Sequence, residues 1–147
     1  MNETLVGTWK LVSATEITDE GDVKDAFGKG ATGFLTYTAD GRMTAILSHG
    51  GRKPLSVPDF VAAPAAECAE AFRTFAAYAG KYIFSGDKVT HHVEAASLQN
   101  WVSTDLVRIP RFEENRLILR STPYLKAGVM VTAELVWERL SGEGAGH

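Results

Sequence analysis

The side chains best suited to chemistry in this chain lie in its second half. His91 and His92 stand side by side in the β-rich run Val89-Thr90-His91-His92-Val93-Glu94. Neighbouring residues of a strand point to opposite faces, so the two imidazoles cannot chelate one ion together. A zinc site would need further ligands that the sequence does not supply. His91 shares its face with Val93 and Ala95, the more apolar face, and is the candidate for an interior. There it could be a hydrogen-bonded wall residue, or it could hold the polar end of a ligand or move a proton. An unperturbed pKa of ~6.5 suits both of the latter tasks. His92 shares the other face with Glu94. A register slip of one residue exchanges the two faces and makes His92 and Glu94 the interior pair, an alternative acid–base arrangement.

Arg108 sits between Val107 and Ile109 in an apolar run. A buried guanidinium needs an anionic or strongly polar partner to offset its desolvation. Asp105 or Glu134 could be that partner, or Arg108 could hold a ligand carboxylate in bidentate fashion. Tyr37 and Tyr82 fall within β-rich runs, where a ring can line a cavity and a hydroxyl can orient a ligand; Trp101, after Gln99-Asn100, falls at a strand end near a cavity mouth. The nucleophile elbow, the phosphate-binding loop and the dinucleotide fingerprint are all missing from the sequence, and no cofactor is expected.

The elements that must position these residues are mostly strands. Leu5 to Ile17 alternates, with Trp9, Leu11 and Ser13 on one face and Lys10, Val12 and Ala14 on the other. Asp40-Gly41, between Phe34–Thr38 and Met43–Ser48, is a strong hairpin signal. Gly86-Asp87 marks a second hairpin, between Lys81–Ser85 and Lys88–Ser97; Glu113-Glu114-Asn115 marks a third, between Asp105–Phe112 and Arg116–Ser121. Val129 to Arg139 is a long final strand. From Ala65 to Ala77 the period changes: Cys68, Phe72, Phe75 and Ala76 fall at helical spacing, which predicts one amphipathic helix. Eight successive antiparallel strands can close into an up-and-down barrel just wide enough for one small ligand, with the helix capping or plugging an end.

Composition narrows the partners. The chain has 147 residues, room for one domain, with 15 Lys and Arg against 18 Asp and Glu and a net charge of −3. That balance disfavours nucleic acid and anionic membrane surfaces. No apolar run approaches the ~20 residues of a membrane helix. The single cysteine, Cys68, excludes an intramolecular disulfide and reads as a small buried hydrophobe. Nothing at the N-terminus marks the chain for secretion, so the cytoplasm is the default location. The Gly-rich segment 141–147 reads as a flexible tail after a domain spanning residues 1–140.

Several motifs are familiar as a set. Gly7-Thr8-Trp9-Lys10-Leu11-Val12-Ser13 resembles the Gly-x-Trp opening of lipocalins and the wider calycin group. Gly33 to Met43, Tyr78-Ala79-Gly80-Lys81-Tyr82, Thr90 to Glu94, Asn100-Trp101 and Val136-Trp137-Glu138-Arg139 are similar to blocks of the bacterial and fungal lipocalin-like domain family. The resemblance spans about residues 5 to 140. It implies a calycin-type barrel in which Trp9 sits at the closed end with Arg139 packed across it, a structural cation–π contact worth ~0.5–2 kcal/mol.

The expected function is binding of a small, mostly apolar metabolite, with His91, Arg108, Tyr37, Tyr82 and Trp101 as contacts. The alternative is a cofactor-free isomerase, cyclase or hydratase acting on a polyketide- or terpenoid-like substrate. In that case His91, or the His92 and Glu94 pair, is the acid–base group. A third reading is a filled barrel that works through its surface, for instance as a homodimer.

Overall fold

The computed structural model describes residues 4–140. In chain order the elements are β1 (Gly7–Thr18), β2 (Val23–Asp25), β3 (Thr32–Tyr37), β4 (Arg42–Ser48) and α1 (Ala65–Arg73). They continue with β5 (Phe75–Phe84), β6 (Val89–Ala96), β7 (Asp105–Glu113), β8 (Arg116–Ser121), β9 (Tyr124–Lys126) and β10 (Val129–Arg139). Eight of the strands close an antiparallel barrel in the order β1-β3-β4-β5-β6-β7-β8-β10, and β10 returns to β1 from Trp9↔Arg139 to Thr18↔Val131. The short β2 and β9 pair with one end of β1 and of β10. Closure leaves the eight long strands without a free edge over most of their length.

The three expected hairpins are present. At the first, the Thr38 amide donates to the Arg42 carbonyl at 2.8 Å, and Gly41 turns the chain at φ +91°, a conformation that disfavours any side chain. β5–β6 and β7–β8 turn over the segments expected for them.

Four expectations need correction. The helix ends at Arg73, and β5 starts at Phe75 and pairs with β4 from Ser48↔Phe75 to Arg42↔Lys81. Phe75-Ala76-Ala77 satisfies either period, and the unpaired edge of β4 draws it into the sheet. Cys68 and Phe72 are exposed rather than buried, because α1 packs on the 49–56 loop through its other side. There Arg52 Nη2 donates to the Ala71 carbonyl at 3.2 Å, and the Ser56 amide donates to Glu67 Oε1 at 2.9 Å. Of α1, only Arg73 reaches the wall of the barrel cavity.

The other two corrections come from β-bulges, which add one residue to a strand and reverse its alternation beyond that point. In β1 the register against β10 shifts between Leu11 and Ser13. Ser13 is therefore exposed, while Ala14 and Glu16 turn inward. In β6 the register against β5 shifts as Gly80 pairs with Val93 and Ala79 with Ala95, so Ala95 faces out and Ala96 packs on the core. Gly80 is required there: a Cβ would collide with the His92 carbonyl.

Leu5, Trp9, Tyr37, Met43, Val89, Val93 and Leu117 form a solid, fully buried core with no contact to the cavity. The Arg139 guanidinium lies 4.2 Å from the centre of the Trp9 ring and donates to the carbonyls of Val6 and Thr4 at 2.7 and 2.8 Å. The Trp9 indole N–H donates to the Leu5 carbonyl at 2.9 Å. The pair that the family resemblance implies is in place. The tail from 141 to 147 lies outside the described residues.

Candidate functional site

The barrel encloses a cavity of about 700 Å³, within the range typical of small-molecule sites. Phe27, Leu35, Leu47, Leu106, Leu119 and Leu135 supply its apolar wall. Its polar lining includes Tyr78, His91, Arg108, Glu16 and Tyr124. A cavity of this size and lining suits the binding of a small ligand.

His91 is buried at 1 % exposure, with both ring nitrogens engaged: Nε2 lies 2.6 Å from the Tyr37 hydroxyl and Nδ1 lies 2.7 Å from the Tyr78 hydroxyl. Burial first, and the positive charge of Arg108 second, push its pKa down to about 3. The ring is therefore neutral at physiological pH, with one nitrogen donating and the other accepting. Tyr37 decides which. It too is 1 % exposed, and among the described residues His91 is the only acceptor its hydroxyl can reach. Were Nε2 the donor, the Tyr37 proton would be buried without a partner, at a cost of about 1–3 kcal/mol. We therefore assign the Tyr37 O–H as donor to Nε2, and Nδ1–H as donor to the Tyr78 oxygen. That leaves the Tyr78 proton available to the cavity whose wall Tyr78 forms. Burial raises the phenol pKa of Tyr78, and the charge and hydrogen-bonding reach of the adjacent Arg108 oppose that rise.

Arg108 comes from β7, half-buried in the cavity wall. It donates through Nη1 to the Val107 carbonyl at 3.1 Å, and no carboxylate lies within 4.0 Å of it among the described residues. The expected partners are engaged elsewhere: Asp105 bonds His92 at 2.9 Å, and Glu134 faces Arg120 at 4.0 Å. A guanidinium has five N–H donors, so most of those of Arg108 remain free. Arg108 and Tyr78 thus stand side by side in the cavity wall, a guanidinium with free N–H donors next to a hydroxyl, chemistry able to meet an oxyanion. His91, which the sequence left open as a wall residue, a ligand contact or an acid–base group, stands behind them with both ring nitrogens bonded to tyrosine hydroxyls.

The remaining candidates divide. Trp101, in the 3₁₀ turn Gln99–Trp101, lines the cavity and meets the Tyr78 ring edge-on at 5.6 Å. Tyr37 stands behind His91, off the cavity. Tyr82 packs edge-on against Tyr37 at 4.7 Å and donates to the Thr38 carbonyl at 2.8 Å, beside the first hairpin and away from the cavity. His92 and Glu94 face outward, as the alternation from His91 dictates. Glu94 pairs with Arg42 at 2.6 Å, so the two side chains do not act on each other.

Sequence reading missed Glu16. The β1 bulge turns it inward, where it is 2 % exposed in the cavity wall and its Oε2 accepts from Tyr124 at 3.0 Å and Lys126 at 2.6 Å. Its Oε1 is buried with no hydrogen-bond partner among the described residues, as is the indole N–H of Trp137 in the same wall. A carboxylate amid an alternating strand was the available signal, masked by the extra residue before it.

Among the described residues no group of three or more His, Cys, Asp or Glu has the spacing of a metal site, and no helix is long and apolar enough to cross a membrane. No curated protein and no solved structure gives a significant match to the chain. A family model described as lipocalin-like domain matches residues 6–140, the whole of the closed barrel and every wall residue of the cavity, and the chain belongs to that lipocalin-like domain family.

Proposed function

We propose that the barrel binds a small, mostly apolar molecule ending in a carboxylate or a polarised carbonyl, seated on Arg108 and Tyr78. The observation that carries this reading is the half-buried Arg108 guanidinium in the cavity wall, free of any carboxylate among the described residues and adjacent to Tyr78 in the same wall. Free donors facing a largely apolar cavity favour an oxyanion, because charge-assisted hydrogen bonds are the stronger kind. The aliphatic wall, with Phe27 and Trp101, suits an apolar body. A cytoplasmic setting belongs to the same proposal, supported by the lone, unpaired Cys68.

A second reading draws on the same two donors. A cofactor-free isomerase, cyclase or hydratase would use Tyr78 and Arg108 to hold an enolate oxygen, the oxyanion-hole arrangement of such chemistry. His91, with both nitrogens bonded, would then position Tyr78 rather than exchange protons with substrate. Turnover lost in His91→Ala with binding retained would support the enzyme; a change in affinity alone supports the carrier.

Displacement of the neutral apolar dye N-phenyl-1-naphthylamine by decanoic acid and by its methyl ester tests the binding reading. Arg108→Gln is expected to weaken the acid about ten- to a hundredfold, the value of a charged hydrogen bond, and to leave the ester nearly unchanged. Equal affinity of the acid for both proteins would contradict the seat.

A further inference from the structure

We infer that the ligand reaches the cavity sideways, through a slot in the barrel wall between β7 and β9 that ends at Arg108. This rests on the reading above that the cavity takes a ligand, and adds the route by which the ligand comes and goes. β7 pairs with β8 from Glu113↔Arg116 only as far as Arg108↔Ser121. Beyond that point, among the described residues, Asp105, Leu106 and Val107 pair with β6 alone, and β9 pairs with β10 alone. The lining of the cavity shows the same opening. In a paired wall alternate residues face the interior, as Ala45 and Leu47 of β4 do, and Leu119 and Ser121 of β8. Asp105 to Arg108 and Tyr124 to Lys126 line the cavity in unbroken succession instead, because there the strand edge itself meets the interior.

The local sequence explains why the two strands part. Ser121, Thr122 and Pro123 lie between Arg120 and Tyr124, whereas only Thr132 and Ala133 lie between their partners Glu134 and Val131 on β10. An extra residue bends the strand that carries it. Ser121 Oγ accepts from the Ala133 amide at 2.9 Å in place of a backbone carbonyl, and Pro123 has no N–H to offer a neighbour. Tyr124 and Lys126 then reach past β10 to Glu16 of β1, which holds β9 on that side and away from β7. At the inner end of the slot, Arg108 Nη1 donates back to the Val107 carbonyl at 3.1 Å and covers one polar group of the free edge. Half-way round the barrel the rim is fastened. A Cβ on Gly50 would collide with the Lys29 carbonyl, so the loops before β3 and after β4 touch backbone to backbone, and Phe27 meets His49 edge-on at 5.0 Å. A ligand drawn in through the slot keeps its acid at Arg108, beside the opening, and lays its apolar body against Leu35 and Leu47 on the far wall.

The test follows uptake of N-phenyl-1-naphthylamine, and its release by decanoic acid, by stopped-flow fluorescence in the full chain carrying Cys68→Ser. Asp105→Cys and Leu125→Cys, one on each flank of the slot, are joined by a bis-methanethiosulfonate linker that reductant removes. Lys29→Cys and Lys53→Cys on the fastened rim are joined in the same way for comparison. Joining the slot is expected to slow uptake and release alike by at least about tenfold, as obstruction of an access route does, so that affinity changes little. Reductant should restore both rates in the same sample, and joining the rim should leave them as they were. Thr122→Trp narrows the slot without a linker and should slow exchange in both directions, which keeps the test in force if the cysteine pair does not fold. Unchanged rates with the slot obstructed, or slowing by the rim linker alone, would overturn this inference and leave the cavity reading standing. Failure of the wild-type protein to take up either dye or acid would overturn both.

Discussion

At the scale of single residues, most of the site's chemistry follows from a neutral histidine held between two tyrosines. His91 was legible in the sequence as an interior residue because Val93 shares its face. Its role was not, because the hydroxyls that engage it come from β3 and β5, far away in sequence. Arg108 was legible for a simpler reason: a guanidinium between Val107 and Ile109 must have some partner, and neither expected acid supplies it. A pH dependence follows from His91. Its folded-state pKa of about 3 lies below the ~6.5 of an unfolded chain, so between those values the unfolded state binds more protons. The contribution is complete above pH ~6.5 and is lost as pH falls toward 3, on the order of 5 kcal/mol in all. Urea midpoints measured from pH 7 to pH 4 should fall in the wild type and fall less steeply in His91→Gln; parallel curves would refute the neutral, buried assignment.

At the scale of elements, two bulges decide which side chains see the cavity. Hairpins were readable because Asp40-Gly41 and Gly86-Asp87 announce turns locally. The bulges were not, because an extra residue is defined only by the opposite strand, β10 for β1 and β5 for β6. Glu16 was missed for that reason, and Ala95 was misplaced for the same one. The start of β5 was hidden in an alanine-rich stretch whose local preference does not separate helix from strand. Gly80 is the point where the second bulge is enforced, since a Cβ would press on the His92 carbonyl and the Glu94 amide. Gly80→Ala should destabilise the fold by about 1–3 kcal/mol, the usual cost of overpacking. It should also weaken ligand binding, because Tyr78 on the same strand and His91 across from it would shift. Unchanged thermal stability would mean that the strands can part there without strain.

At the scale of the whole molecule, closure and filling are separate matters. A tightly packed half around Trp9, Tyr37 and Leu117 holds the barrel rigid, which lets the other half keep about 700 Å³ without collapse. The strand count and the Trp9–Arg139 clasp could be expected from the sequence, the first from its hairpins and the second from family resemblance. Whether the interior was filled or open could not, because the balance depends on how inward side chains from all eight strands meet. The most direct test of the central claim is native mass spectrometry of the protein purified from its own host, followed by extraction of whatever it carries. A stoichiometric small acid with an apolar body is the predicted result. A barrel that emerges empty, and that afterwards takes up neither apolar dyes nor acids, would contradict it.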